Sequence, residues 1–137
     1  MIARSNTEDG KTHWTGARNG KRGRVMIVDD HAAFRQALAV TLEHRAGFDV
    51  RAEAASPAEA RRILQTLPGG LDLAIVDVDL PGRDTEALIR DLQEGPARAA
   101  VLGLTAARER AAGTPEAMLG TDASVDEILA VAGRLVG

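Results

Sequence analysis

Cysteine is absent from the 137 residues, which removes disulfides, thiolate metal sites and thiol nucleophiles from consideration. Aromatic residues are 2% of the chain, so any core has to be aliphatic, built mostly from Leu, Val, Ile and Ala. No apolar run approaches the length needed to cross a bilayer, and the polar stretch from Met1 to Gly23 has no apolar centre of the signal-peptide kind. The expectation is a soluble, cytoplasmic protein without a membrane partner. Lysine is almost missing too: Lys11 and Lys21 are the only two, and both precede the first apolar run.

What is present has ordinary proportions, 45% apolar and 27% charged. The length fits one domain with a real core and leaves little room for a further output domain. Charge is unevenly spread. Arg4, Lys11, Arg18, Lys21 and Arg22 outweigh Glu8 and Asp9, giving +3 before Arg24 and −6 from Arg24 onward, against −3 overall. Residues 1–23 are therefore predicted to be a solvated, disordered basic tail that holds the chain's single Trp, Trp14, and 24–137 the folded domain.

The folded part opens abruptly. Val25 to Val28 is an apolar run that ends on Asp29 and Asp30, which reads as a buried strand with acids at its C-terminal end. Phe34, Ala37, Leu38, Thr41 and Leu42 recur at helical spacing until Gly47, and Val50 to Ala54 is a second strand. Ser56, Pro57 and Glu59 form an N-terminal capping signature for a helix with buried face Ala60, Ile63, Leu64 and Leu67, stopped by Pro68-Gly69-Gly70. Leu73 to Val76 is a third strand ending on Asp77. After the Pro81-Gly82 turn, Leu88, Ile89 and Leu92 mark a helix broken at Gly95-Pro96. Val101 to Leu104 is a fourth strand ending at Thr105, 106–113 a short helix, and Ala117 to Leu119 a brief last strand. Ser124 and Glu127 are a second capping box, before the stripe Ile128, Leu129, Ala132 and Leu135. Short strands alternating with helices require parallel pairing through right-handed crossovers, hence an α/β doubly wound parallel sheet of five strands covered on both faces.

In such a sheet, ligands gather beyond the carboxyl ends of the strands. Asp29, Asp30, Asp77 and Thr105 leave three different strands and are predicted to meet at that edge. Carboxylates packed together repel, and one of them gains a proton unless a cation intervenes. Oxygen ligands without Cys or a required His select a hard ion, Mg²⁺ or Mn²⁺, which takes a phosphate oxygen as a further ligand. The chemistry indicated is phosphoryl chemistry.

The segments "VMIVDDHAAFRQAL" and "LAIVDVDLPGRDTEAL" resemble the first and third strand motifs of response-regulator receivers of the CheY-like fold, with sheet order 2-1-3-4-5. The Asp-Asp-His-x-x-Phe-Arg run is similar to the NarL/LuxR-type subgroup. The resemblance extends from Arg24 to the C-terminus, where "DASVDEI" looks like the start of the family's last helix. It implies that Asp77 accepts a phosphoryl group from a phosphohistidine or a small acyl phosphate, in a two-component or phosphorelay pathway. It implies that Asp29, Asp30, Asp77 and the backbone carbonyl of Asp79 hold Mg²⁺ or Mn²⁺, with Asp30 as a direct ligand. It assigns Thr105, in "VLGLTA", to the new phosphate and to coupling with the following loop. His31 is expected to be a packing residue of the subgroup. The implied partners are a sensor histidine kinase or phosphotransfer protein, a downstream protein and a second copy of the chain; direct DNA binding is not expected.

The sequence departs from the family at one region. Receivers carry a lysine at the end of strand five, and here the aligned residue is Thr121, with the tail lysines out of local reach. Arg83, Arg108 and Arg110 are the candidate substitutes. The aromatic switch residue is replaced by Met118, and the segment from Thr105 to Thr121 is short by more than a helical turn, so the fourth helix is expected to be shortened. Three readings stay open: a phosphorylatable stand-alone receiver, a pseudo-receiver working as an interaction module without phosphorylation, and a small haloacid-dehalogenase-like phosphatase with Asp77 and Asp79 as nucleophile and acid/base. Chain length and the order of the acidic pairs oppose the third.

Overall fold

A computed structural model of the chain describes residues 23–106 and 115–137. The predicted basic tail with Trp14, apart from Gly23, falls outside the described residues, as do the predicted short helix apart from Ala106, and Arg108 and Arg110. Among the described residues there are five strands, β1 Arg24–Val28, β2 Asp49–Ala54, β3 Leu73–Asp77, β4 Ala100–Thr105 and β5 Ala117–Gly120. The described helices are α1 Ala32–Ala46, α2 Pro57–Thr66, α3 Asp84–Glu94 and α4 Val125–Val136. The strands form one parallel sheet in the order β2-β1-β3-β4-β5.

Strand alternation divides the core in two. Val25, Ile27, Leu73, Ile75, Leu102 and Leu104 face a layer containing Leu38 and Leu42 of α1 and Ile128 and Ala132 of α4, with Phe48 beneath. Met26, Val28, Ala74, Val76 and Val101 face Ala60 of α2 and Leu88, Ile89 and Leu92 of α3. Both faces of the central strands are buried, which is why β1 and β3 read as continuous apolar runs rather than as alternations. Each large aliphatic side chain so buried contributes roughly 1.5–3 kcal/mol.

The helix ends follow local chemistry. Gly47 ends α1 at φ 74°, a left-handed position that glycine adopts without a Cβ penalty. Ser124 Oγ accepts the Glu127 N–H at 3.1 Å while Glu127 accepts the Ser124 N–H at 2.9 Å, the full reciprocal box. At α2 the box is shifted: Ser56 Oγ accepts the Glu59 N–H at 3.1 Å, but the Glu59 carboxylate takes the Ala55 N–H at 2.7 Å. The predicted face of α1 is corrected as well. Leu38, Ala39 and Leu42 are buried, whereas Phe34 and Ala37 are exposed. Ala and apolar residues occur all round this helix, so spacing alone does not fix which stripe turns inward.

The register sets the functional edge. Val28 lies beside Val76, Asp77 beside Leu104, and Thr105 beside Gly120. The residues that leave β1, β3, β4 and β5 therefore emerge at one level. At the opposite end, Asp72 accepts from the Arg24 N–H at 2.8 Å and from Arg24 Nε at 3.0 Å, tying the start of β1 to the start of β3.

Candidate functional site

Asp29 and Asp77 are both buried, and both make the same local turn. Asp29 Oδ1 accepts the His31 N–H at 2.8 Å, and Asp77 Oδ1 accepts the Asp79 N–H at 3.0 Å. A carboxylate bonded to the amide two residues on bends the chain out of the strand and orients its own remaining lone pairs. Sheet hydrogen bonding continues past the acids, from the Asp29 N–H to the Ala54 carbonyl at 3.0 Å and from the Val78 N–H to the Leu104 carbonyl at 2.9 Å. The acids are thus fixed by backbone on both sides.

The carboxyl of Asp77 is held above its ordinary range. Burial is the main cause, opposed by the Asp79 N–H, and the negative charges of Asp29, Asp79 and Asp30 push it further up. Among the described residues no Lys or Arg side chain pairs with Asp77. Asp29, Asp30 and His31 each place a potential ligand atom within 4.8 Å of the others. That cluster, with Asp77 near enough for the charges of Asp29 and Asp30 to raise it, is rich in carboxylate oxygen, the donor chemistry that suits a hard divalent cation.

His31 is not the packing residue expected. Its side chain is 77% exposed and Nδ1 lies 3.2 Å from both Asp29 Oδ1 and Asp30 Oδ1. With the backbone turning outward after Asp29, the ring stands at the rim of the acidic cluster rather than in a core. Arg35 closes the Asp-Asp-His-x-x-Phe-Arg run, but nothing in the sequence pointed to a role of its own. Its Nη1 donates to the Asp29 carbonyl at 2.7 Å and its Nε to Glu53 at 3.0 Å, so α1 and β2 together brace the end of β1. Glu53 is 18 residues from Arg35; nothing local in the sequence announces the pair.

Thr105 is buried at the end of β4, yet its hydroxyl reaches Asp79 rather than Asp77. Thr105 Oγ1 donates to Asp79, 2.9 Å from Oδ1 and 3.1 Å from Oδ2, and the Ala106 N–H donates to Asp79 Oδ2 at 2.7 Å. This ties the Asp79 carboxylate to the β4 end. Thr121, where a lysine was looked for, donates its backbone N–H to the Thr105 carbonyl at 3.0 Å. Met118 on β5 lies across Gly103 of β4, where a Cβ would come within 2.7 Å of its sulfur. Arg83, next to the first residue of α3, is exposed.

The chain spans only part of the characterised proteins it is similar to. Over 70 residues it is 39% identical to protein-glutamate methylesterase/protein-glutamine glutaminase 3 of Rhodopseudomonas palustris (strain BisB18), a stretch covering 50% of this chain and 18% of that protein. Among solved structures, the receiver domain of the hybrid histidine kinase CckA matches with a TM-score of 0.67 at 26% identity, covering 84% of this chain and 100% of that one. A DNA-binding response regulator of the LuxR family from Staphylococcus aureus shares the fold, with a TM-score of 0.69 at 14% identity over 84% of this chain and 99% of that one. The response regulator receiver domain model matches residues 25–126, from β1 into α4. With that match over most of its length, and an acidic edge built from the ends of β1 and β3, the chain belongs to the response regulator receiver domain family.

Proposed function

We propose that this receiver accepts a phosphoryl group on Asp77 and passes the signal on through protein contact. The observation that carries the reading is the place of Asp77: a buried carboxylate, held up first by that burial and then by the charges of Asp29, Asp79 and Asp30, at the strand end where a doubly wound sheet collects ligands. Asp29, Asp30, Asp77 and the Asp79 carbonyl would hold Mg²⁺ or Mn²⁺. When bound, the ion neutralises charge on the phosphoryl oxygens and on the acids around them.

The protein's own part is positional. The Asp79 N–H holds Asp77 Oδ1, which leaves Oδ2 to attack phosphorus. With phosphohistidine as donor, the P–N bond breaks as the O–P bond forms, and the imidazole leaves with the electron pair and is protonated from solvent. The product is an acyl phosphate at the end of β3, on the same sheet edge as Thr105 at the end of β4. Phosphorylation adds charge and strong acceptors at the level of β4 and β5, which biases the segments that follow them.

The proposed donor is a sensor histidine kinase or phosphotransfer protein in the cytoplasm. The output is binding to a downstream protein or a second copy, without DNA contact by these residues. Incubation with Mg²⁺ and acetyl phosphate, followed by intact-mass analysis, tests the reading. One added phosphoryl group in the wild type and none in Asp77→Asn is the expected result. An unchanged wild-type mass would leave the fold as an interaction module that works without phosphorylation.

A further inference from the structure

The Asp79 side chain occupies an anion cradle. Two donors from consecutive residues, the Thr105 hydroxyl and the Ala106 amide, converge on one carboxylate at 2.7 to 3.1 Å. Thr105 is 3% exposed while Asp79 is exposed, so the carboxylate meets a buried hydroxyl from the solvent side, at the protein surface. Among the described residues no Lys or Arg pairs with Asp79, and the β5 position expected to bring an ammonium supplies only the Thr121 backbone bond to Thr105. Among the described residues the carboxylate is therefore held by two neutral donors, of a kind that an oxygen of a phosphoryl group could also accept from.

We propose that the carboxylate of Asp79 is a tethered competitor for the phosphoryl group, holding Thr105 and Ala106 until an anion on Asp77 displaces it. The proposal rests on Asp77 being the acceptor. Hydrogen bonds to an ionised acceptor are about twice as strong as neutral ones, so the tethered anion is a serious rival. Its attachment two residues from Asp77 keeps its effective concentration high. Two anions cannot share one hydroxyl and one amide. Either Asp79 swings away when the phosphoryl group docks, or the phosphoryl group stays on Asp77 without engaging β4. With no ammonium among the described residues to favour the incoming anion, displacement depends on the bound cation. Asp79 thus sets a threshold between phosphorylation and the response of the β4 end, acting as a positioning residue on Thr105.

Beryllofluoride, a phosphoryl mimic, tests this by ¹H–¹⁵N titration of the full chain in saturating Mg²⁺. The apparent affinity of a site falls with the fraction of time it is open, so Asp79→Ala should bind beryllofluoride about tenfold more tightly than wild type, with Asp79→Asn between them. In the unligated protein the Ala106 amide should move upfield in Asp79→Ala. In wild type the Asp79 side-chain ¹³C resonance should shift between the Mg²⁺ and the Mg²⁺–beryllofluoride states, a readout that needs no variant to fold. Binding to the variants no tighter than to wild type, with Asp77→Asn abolishing it, overturns the competitor and leaves Asp77 as acceptor. A stationary Asp79 ¹³C resonance in a beryllofluoride-bound wild type overturns it in the same way. Absence of binding by wild type and both variants removes the competitor and the acceptor together.

Discussion

At the scale of single residues, the carboxyl of Asp77 shows how the site strains the fold. Its pKa is raised, so the folded protein holds that proton more tightly than the unfolded chain does. The ionised form consequently costs stability, and the cost grows as pH rises from the ordinary carboxylate range through the raised value. Asp77→Asn should then melt several degrees higher than wild type at neutral pH without metal, a gain that vanishes in acid where both side chains are neutral. Thermal melts across pH check the sign; a lower Tm for the variant at neutral pH contradicts it. Mg²⁺ should reverse the order. At about 100 times its dissociation constant a ligand of the folded state stabilises by about 2.7 kcal/mol, and most of that gain should be missing in Asp77→Asn. Asp29, Asp77 and Thr105 were legible in the sequence because each is a polar residue that ends a buried run. The carboxylate of Asp79 was not, since its partners lie 26 and 27 residues away and only the pairing of β3 with β4 brings them near. His31 was misplaced for a related reason: a residue type that packs in one context stands at a rim here because Asp29 turns the backbone outward.

At the scale of elements, caps and close contacts decide more than propensity. Ser124→Ala removes the acceptor for the Glu127 N–H at the start of α4 and should cost about 1 kcal/mol, measurable by chemical unfolding. That box was readable because all its parts lie within four residues. Gly103 was not readable in the same way. Its place in the middle of β4 is explained only by Met118 of β5, Val78 and Pro115, whose side chains would lie 2.7, 3.1 and 3.3 Å from an added Cβ. Gly103→Ala should therefore destabilise by about 1–3 kcal/mol through overpacking, despite the better strand propensity of alanine. An unchanged unfolding midpoint would show that Met118 moves aside freely. The rotated face of α1 has the same origin. Its stripe is chosen by the fit of Leu38 and Leu42 against β1 and β3, a tertiary fact that helical period leaves open when Phe34, Ala37 and Val40 are also apolar.

At the scale of the whole molecule, the sheet separates two carboxylates with opposite effects. Asp72, just before β3, is held below its ordinary range first by the hydrogen bonds from the Arg24 guanidinium, against a smaller desolvation effect, and then by the Arg24 N–H and charge. Asp77, at the other end of the same strand, is held above it. Asp72 contributes stability above the ordinary carboxylate range that is lost as pH falls through its lowered value. Asp77 does the reverse, so the two partly offset each other in the acid limb of the stability curve. The Arg24–Asp72 pair is about two-fifths exposed on each side, and solvent screening keeps its worth to about 1 kcal/mol or less. Asp72→Asn should accordingly lower stability at neutral pH by no more than that, with the difference from wild type shrinking in acid, whereas Asp77→Asn raises stability at neutral pH. Five residues of strand put the two positions about 16 Å apart, beyond direct coupling, so their effects should add to within about 0.5 kcal/mol in the double variant. Urea titrations of the four proteins at neutral and acid pH measure this. A larger deviation would mean that the acidic edge and the Arg24 end communicate through β3, and that the strand transmits charge changes along its length instead of insulating one end of the sheet from the other.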